Sequence, residues 1–101
     1  MLFRVSAADQ TVLLDDNEVV IGRSPYCSII LCDESVSSVH VVLSRRIDQV
    51  EITDMNTSNG TFVNDKRITD SVFVVTTDEI RVGDVQVKIE TFERPVAGDS
   101  M

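Results

Sequence analysis

The sequence predicts an all-β fold, an antiparallel β-sandwich of many short strands, and three observations carry that expectation. No window sustains a 3.6-residue apolar stripe over the length of a helix. Runs such as Val39-His40-Val41-Val42-Leu43 and Gln49-Val50-Glu51-Ile52-Thr53 are rich in β-branched residues or alternate apolar and polar side chains with period two. Turn-forming residues break these runs at short intervals, as two packed sheets built from one short chain require.

Taken in order, the chain opens as antiparallel β. Leu2 and Val5 precede Ala8-Asp9-Gln10, Val12 and Leu14 follow it, and Asp15-Asp16-Asn17 separates Val12-Leu13-Leu14 from Val19-Val20-Ile21 as a hairpin turn would. Gly22 ends that strand. Ser24-Pro25 forbids its continuation, because proline lacks the N–H and restricts the residue before it, so Arg23 falls on a loop, where a side chain can meet a ligand. Ser28-Ile29-Ile30-Leu31 is a brief apolar run, and a loop from Asp33 to Ser38 leads into the strand beginning at Val39. In the following strand Val50 and Ile52 face a core and Glu51 faces solvent, while Arg45-Arg46 belongs to a solvated hairpin at the opposite end from the loops.

After Asn59-Gly60, short strands are expected at Thr61-Phe62-Val63, Lys66-Arg67-Ile68, Val72-Phe73-Val74-Val75 and Glu79-Ile80-Arg81-Val82, with a turn at Asn64-Asp65. Gly83-Asp84 suits a two-residue type II′ hairpin, whose second strand places Val85, Val87 and Ile89 on one face and Gln86, Lys88 and Glu90 on the other. Beyond Phe92 the composition shifts to Glu93-Arg94-Pro95-Val96-Ala97-Gly98-Asp99-Ser100-Met101. Residues 1–93 are therefore expected to form one domain and 94–101 a flexible tail or the start of a linker to more of a larger protein.

Composition narrows the function. With 101 residues, 43% hydrophobic and 26% charged, the chain has globular character, and only 5% aromatic residues with no Trp make its core aliphatic. Nine Lys and Arg against 17 Asp and Glu give a formal charge of −8, which disfavours nucleic acid and anionic lipid as partners. No run is long enough to insert in a membrane, and Leu2-Phe3-Arg4-Val5 is strand-like rather than a secretory leader, so a cytoplasmic setting is expected. In that setting the matches of Asn56-Thr57-Ser58 and Asn59-Gly60-Thr61 to the glycosylation pattern are accidental. Cys27 and Cys32 flank an apolar run and are read as two reduced, partly buried thiols. His40 is the only histidine, so neither a metal site nor a cofactor is expected.

Three polar clusters remain: Gly22-Arg23-Ser24, then Ser35-Val36-Ser37-Ser38-Val39-His40, then Thr57-Ser58-Asn59-Gly60-Thr61-Phe62-Val63-Asn64. One arginine, several hydroxyls and an Asn-Gly turn at strand ends supply a planar cation and short donors, the groups a phosphate needs. The ordered pattern Gly-Arg, Ser-x-x-His, Ser-Asn-Gly-Thr and Asn, spanning about Phe3 to Phe92, resembles the forkhead-associated (FHA) domain, a phosphothreonine-reading module. The resemblance implies that Arg23, Ser37 and Ser58 bind the phosphate and that Ser38 and Asn59 meet the peptide. It makes Gly22, His40, Gly60 and Asn64 structural supports of the site, and the partner a protein or peptide carrying phosphothreonine in preference to phosphoserine. Two positions depart from the family pattern: Ser38 stands where Arg or Asn is frequent, and Ser28 where Asp is frequent.

Two other readings compete. An FHA-like sandwich can act as an assembly unit, for instance of a bacterial secretion apparatus, without recognising phosphate. Ser37, His40 and an aspartate such as Asp54 contain the residue types of a hydrolytic triad, but no G-x-S-x-G elbow is present and Ser37 and His40 are only three positions apart, so the chain is not read as an enzyme.

Overall fold

The computed structural model describes residues 2–92, and the expected tail at 94–101 lies outside them. Eleven strands occur among the described residues: β1 Leu2–Ala7, β2 Gln10–Leu14, β3 Val19–Gly22, β4 Ile29–Ile30, β5 Val41–Arg45, β6 Val50–Asp54, β7 Thr61–Val63, β8 Lys66–Ile68, β9 Ser71–Val74, β10 Ile80–Val82 and β11 Val85–Phe92. They form two sheets, one ordered β2-β1-β11-β10-β7-β8 and the other β4-β3-β5-β6-β9. Alternation along each strand sends one set of side chains between the sheets. Val50 and Ile52 of β6 are buried as their pattern requires, and Phe3, Leu14, Ile21, Leu43 and Ile80 join them in a mainly aliphatic core. Fully burying an aliphatic side chain of this size stabilises the fold by about 1.5–3 kcal/mol.

Three details differ from the sequence expectation. Asp15-Asp16-Asn17 does not close a hairpin: β2 pairs with β1, whereas β3 lies in the other sheet. The segment instead crosses between layers, which lets Leu14 and Val19, both fully buried, reach the core from opposite sides. Arg45 secures the crossing by donating from Nε to Asp15 O (3.2 Å) and from Nη2 to Asp16 Oδ1 (3.0 Å). Secondly, β4 runs parallel to β3, with Ile21 opposite Ile29, because the segment from Arg23 to Cys27 doubles back before β4 begins. Thirdly, Cys27 is buried but Cys32 is exposed, and both are free thiols.

Strand direction fixes where the loops gather. Ile21 pairs with Val41 and Val41 with Asp54, so the end of β3, the start of β5 and the end of β6 share one end of their sheet. Thr61 pairs with Val82 in the other sheet, and Gly83 N–H donates to Gly60 O (3.0 Å), which brings the start of β7 and the β10–β11 hairpin to the same end. Gly83 has φ +57° while Asp84 does not take a positive φ, in keeping with the expected type II′ turn. Asn59-Gly60 is not a hairpin turn, since β6 and β7 belong to different sheets; it lies in the loop that carries the chain across.

Candidate functional site

Backbone bonds join the first two polar clusters. Arg23 N–H donates to Ser37 O and Ser24 N–H to Ser38 O, both at 3.0 Å, so the loop after β3 is tied to the loop before β5. Gly22 makes this approach possible: a Cβ there would lie 2.2 Å from Ser38 O. Behind the junction the Cys27 thiol donates to Ser38 O at 3.3 Å. Burial pushes that thiol's pKa up against a smaller opposing effect of the Ser24 backbone, which preserves the S–H donor.

His40 joins the second cluster to the third. Its ring is fully buried. Ser37 N–H donates to Nδ1 (3.0 Å), so the ring proton belongs on Nε2, which donates to Gly60 O (2.8 Å). Both nitrogens are thereby used on backbone groups, and neither bonds to the Ser37 hydroxyl or to Asp54. The triad reading is therefore wrong, because the imidazole is committed as a brace and cannot serve as the base for Ser37.

The third loop has its own support. Asp54 Oδ1 accepts from the Thr57 hydroxyl (2.8 Å) and the Thr61 hydroxyl (2.7 Å), and Asp54 Oδ2 accepts from Thr57 N–H (3.2 Å). Thr57 Oγ1 in turn accepts from Gly60 N–H at 3.1 Å. Gly60 itself needs φ +88°, which a glycine adopts without penalty. Asn59 Nδ2 donates across to Ser35 O (3.1 Å), and Ser35 Oγ donates to Asp33 Oδ1 (2.6 Å) while accepting from Asp84 N–H (2.8 Å). The Ser35 hydroxyl and N–H hold the Asp33 carboxyl below its ordinary range.

What remains free on this frame are the polar groups a ligand could use. Arg23, Ser38, Ser58 and Asn59 are exposed and Ser37 is half-buried. Among the described residues, the side chains of Arg23, Ser37, Ser38 and Ser58 have no hydrogen bond or ion pair within the chain, and Asn59 uses only its amide nitrogen. Asn64 is placed differently. It braces the β7–β8 turn at the end of β7 away from the loops, donating from Nδ2 to Asp78 Oδ1 and accepting at Oδ1 from Glu79 N–H, each at 2.9 Å. Its support of the site is therefore indirect.

The FHA domain family model matches residues 19–83, more than half of the chain and the span that holds all three polar clusters. The chain belongs to the FHA domain family. The oxoglutarate dehydrogenase inhibitor of Corynebacterium jeikeium is 38% identical over 76 residues, covering 75% of this chain and 52% of that protein. This FHA domain thus spans about half the length of the bacterial relatives it matches. Its fold is that of an FHA domain solved in a structural and functional analysis of phosphothreonine-dependent FHA domain interactions, with TM-score 0.82, 23% identity and coverage of 93% of this chain and 100% of that one. The MEK1 FHA domain, solved in complex with a HOP1 phosphothreonine peptide, superimposes with TM-score 0.74 at 23% identity over 86% of this chain and 93% of its own.

At the departures from the family pattern, this FHA domain uses what it has. Ser28 still bridges strands: its hydroxyl accepts from Val20 N–H (3.0 Å) and its own N–H donates to Val20 O (2.8 Å). Ser38 contributes its carbonyl to the loop junction and leaves its hydroxyl outward. Sequence reasoning missed Asp54, Thr57 and Thr61 as the framework of the third loop, and also Ser35 and Arg67. Asp54 three residues before Thr57 was the available signal, since Asp at that spacing takes N–H groups in a turn. No local signal marked Arg67.

Proposed function

We propose that this FHA domain is a non-catalytic interaction module that binds an extended, phosphothreonine-containing peptide at its loop end. In this reading Arg23, Ser37 and Ser58 contact the phosphate, and Ser38 and Asn59 contact the peptide. The observation that carries it is the free guanidinium of Arg23. In a chain with 17 Asp and Glu, Arg23 is the only arginine among the described residues whose guanidinium has neither an ion pair nor a hydrogen bond. Its planar fork matches two phosphate oxygens, and unbonded serine hydroxyls on loops tied to its own can donate to the others. Two free thiols accord with a reducing, cytoplasmic setting, and the relative named an oxoglutarate dehydrogenase inhibitor accords with a signalling role.

Calorimetric titration tests the proposal, using one phosphothreonine peptide drawn from a library pull-down, its phosphoserine form and its unphosphorylated form. Binding is expected to need phosphate and to favour phosphothreonine. Charge-assisted bonds contribute roughly 1.5–3 kcal/mol each, so Arg23→Ala should lose about 3 kcal/mol or more, above about a hundredfold in affinity. Arg23→Lys keeps the charge without the fork and should not restore binding. Unchanged affinity in a folded Arg23→Ala variant would sink the phosphate-reader role and favour assembly through protein surfaces.

A further inference from the structure

Two consecutive peptide groups in the loop joining β6 to β7 are arranged alike. Their carbonyls, Thr57 O and Ser58 O, both accept from Arg67 Nη2, at 2.9 and 3.2 Å. Their N–H groups, those of Ser58 and Asn59, have no acceptor among the described residues, although the flanking Thr57 and Gly60 N–H groups are both bonded. Every described peptide bond is trans, so C=O and N–H of one peptide group point in opposite directions. A guanidinium that holds both carbonyls on one side therefore turns both N–H groups to the other. Two adjacent N–H groups presented together, with a cation on the carbonyl side of the same dipoles, make a local positive end suited to an oxyanion.

The sheet and a glycine put Arg67 there. The β7–β8 register sets Ile68 opposite Thr61 and Arg67 opposite Phe62. Ile68 is buried, so alternation sends Arg67 to the outer face. From that face the side chain passes over Gly60, where a Cβ would lie 2.6 Å from Arg67 Nε. Gly60 thus serves two purposes, the positive φ of the loop and the space for the guanidinium.

We propose that Arg67 is a positioning residue of the binding site: by holding the carbonyls of Thr57 and Ser58 it presents the N–H groups of Ser58 and Asn59 as donors to the phosphate of the bound peptide. This rests on the phosphopeptide reading above and adds donors and a residue that the sequence pattern does not assign. Arg67 touches no ligand in this account. Its effect passes through the backbone of its neighbours.

The test uses ¹⁵N-labelled wild type, Arg67→Lys and Arg67→Ala, each titrated with the same phosphothreonine peptide. In wild type the Ser58 and Asn59 amide resonances should shift downfield on binding, together with Ser37. In Arg67→Ala the Ser58 and Asn59 shifts should be lost while the Ser37 shift persists. Releasing two residues from one conformation should weaken affinity by about tenfold or more. Arg67→Lys should fall between, because an ammonium can still donate to one carbonyl. Retention of the Ser58 and Asn59 shifts in Arg67→Ala would overturn the proposal, and so would their loss in equal measure with Ser37 and with the melting transition, which marks general destabilisation. If wild type responds to no phosphopeptide, the phosphate-binding reading and the donor role fail together. Fast amide motion gained at Ser58 and Asn59 by ligand-free Arg67→Ala would then still support Arg67 as the organiser of the loop, and its absence would remove that too.

Discussion

A buried imidazole is tolerated only when both nitrogens are bonded, and His40 meets that condition with backbone groups from two loops. His40→Ala should therefore leave Ser37 N–H without its acceptor, take from Gly60 O one of its two donors, the Gly83 N–H remaining, and open a cavity, costing about 2–4 kcal/mol. At about 4–8 °C per kcal/mol for a domain of this size, the melting temperature should fall by roughly 10 °C or more, and phosphopeptide affinity should fall with it. Differential scanning calorimetry beside a peptide titration checks both; normal melting with normal binding would show that the brace is dispensable. Asp54 is the other residue on which a loop depends. Burial pushes its carboxyl up, but bonds from the Thr61 hydroxyl, the Thr57 hydroxyl and Thr57 N–H outweigh this and leave it below the ordinary range. The unfolded chain, with an ordinary value of about 3.9, then takes up the proton first. Stability from Asp54 is fully present above that value and is lost as pH falls through the lower folded value. Urea midpoints measured from neutral pH down to about pH 2 should show wild type losing more stability at the acid end than Asp54→Asn. Parallel acid limbs would mean that Asp54 contributes nothing through its charge.

Among the elements, the β7–β8 hairpin carries visible strain. Its two turn residues, Asn64 and Asp65, have φ of 52° and 68°, the type I′ pattern in which the second position favours glycine. Asn64 is compensated by its bonds to Asp78 and Glu79, but Asp65 is exposed and its side chain makes no such bond among the described residues. Asp65→Gly should relieve the left-handed penalty, less the entropy glycine adds to the unfolded chain, for a net gain of about 0.5–1 kcal/mol. The melting temperature should rise by roughly 2–8 °C with affinity unchanged, since this turn is at the end of β7 away from Thr61. A lower melting temperature would contradict the assignment of strain to Asp65.

For the whole molecule, the relevant quantity is charge. At −8 the domain repels an anionic phosphopeptide at long range, so affinity must come from local donors at the loop end. Raising salt from about 10 to about 150 mM shortens the screening length from roughly 30 to roughly 8 Å, and the association rate of an acidic phosphopeptide should rise over that range. A basic peptide carrying the same phosphothreonine should associate more slowly as salt rises. Stopped-flow measurements on the two peptides would reverse these slopes if a local positive field around Arg23 outweighed the net charge.

The sequence by itself determined the strand content and the inward faces, because period-two patterning is a local property: Val50, Ile52, Val87 and Ile89 point where their spacing says. It determined that Arg23 is on a loop, since Ser24-Pro25 ends any strand there, and the order of the polar clusters was enough to bring the family into view. Which layer each strand joins was decided only by the tertiary structure. Asp15-Asp16-Asn17 has the same turn chemistry whether it closes a hairpin or crosses between sheets, and what selects the crossing is the burial of Leu14 and Val19 from opposite sides. The partners within the site were equally out of reach. Arg67 is adjacent to Thr57 and Ser58 only because the β7–β8 register turns it outward and Gly60 leaves room, and His40 reaches Gly60 only because two sheets close over it. Patterning fixes what a residue's neighbours along the chain will allow; contacts between residues far apart in sequence depend on how the layers close, and no local pattern encodes that.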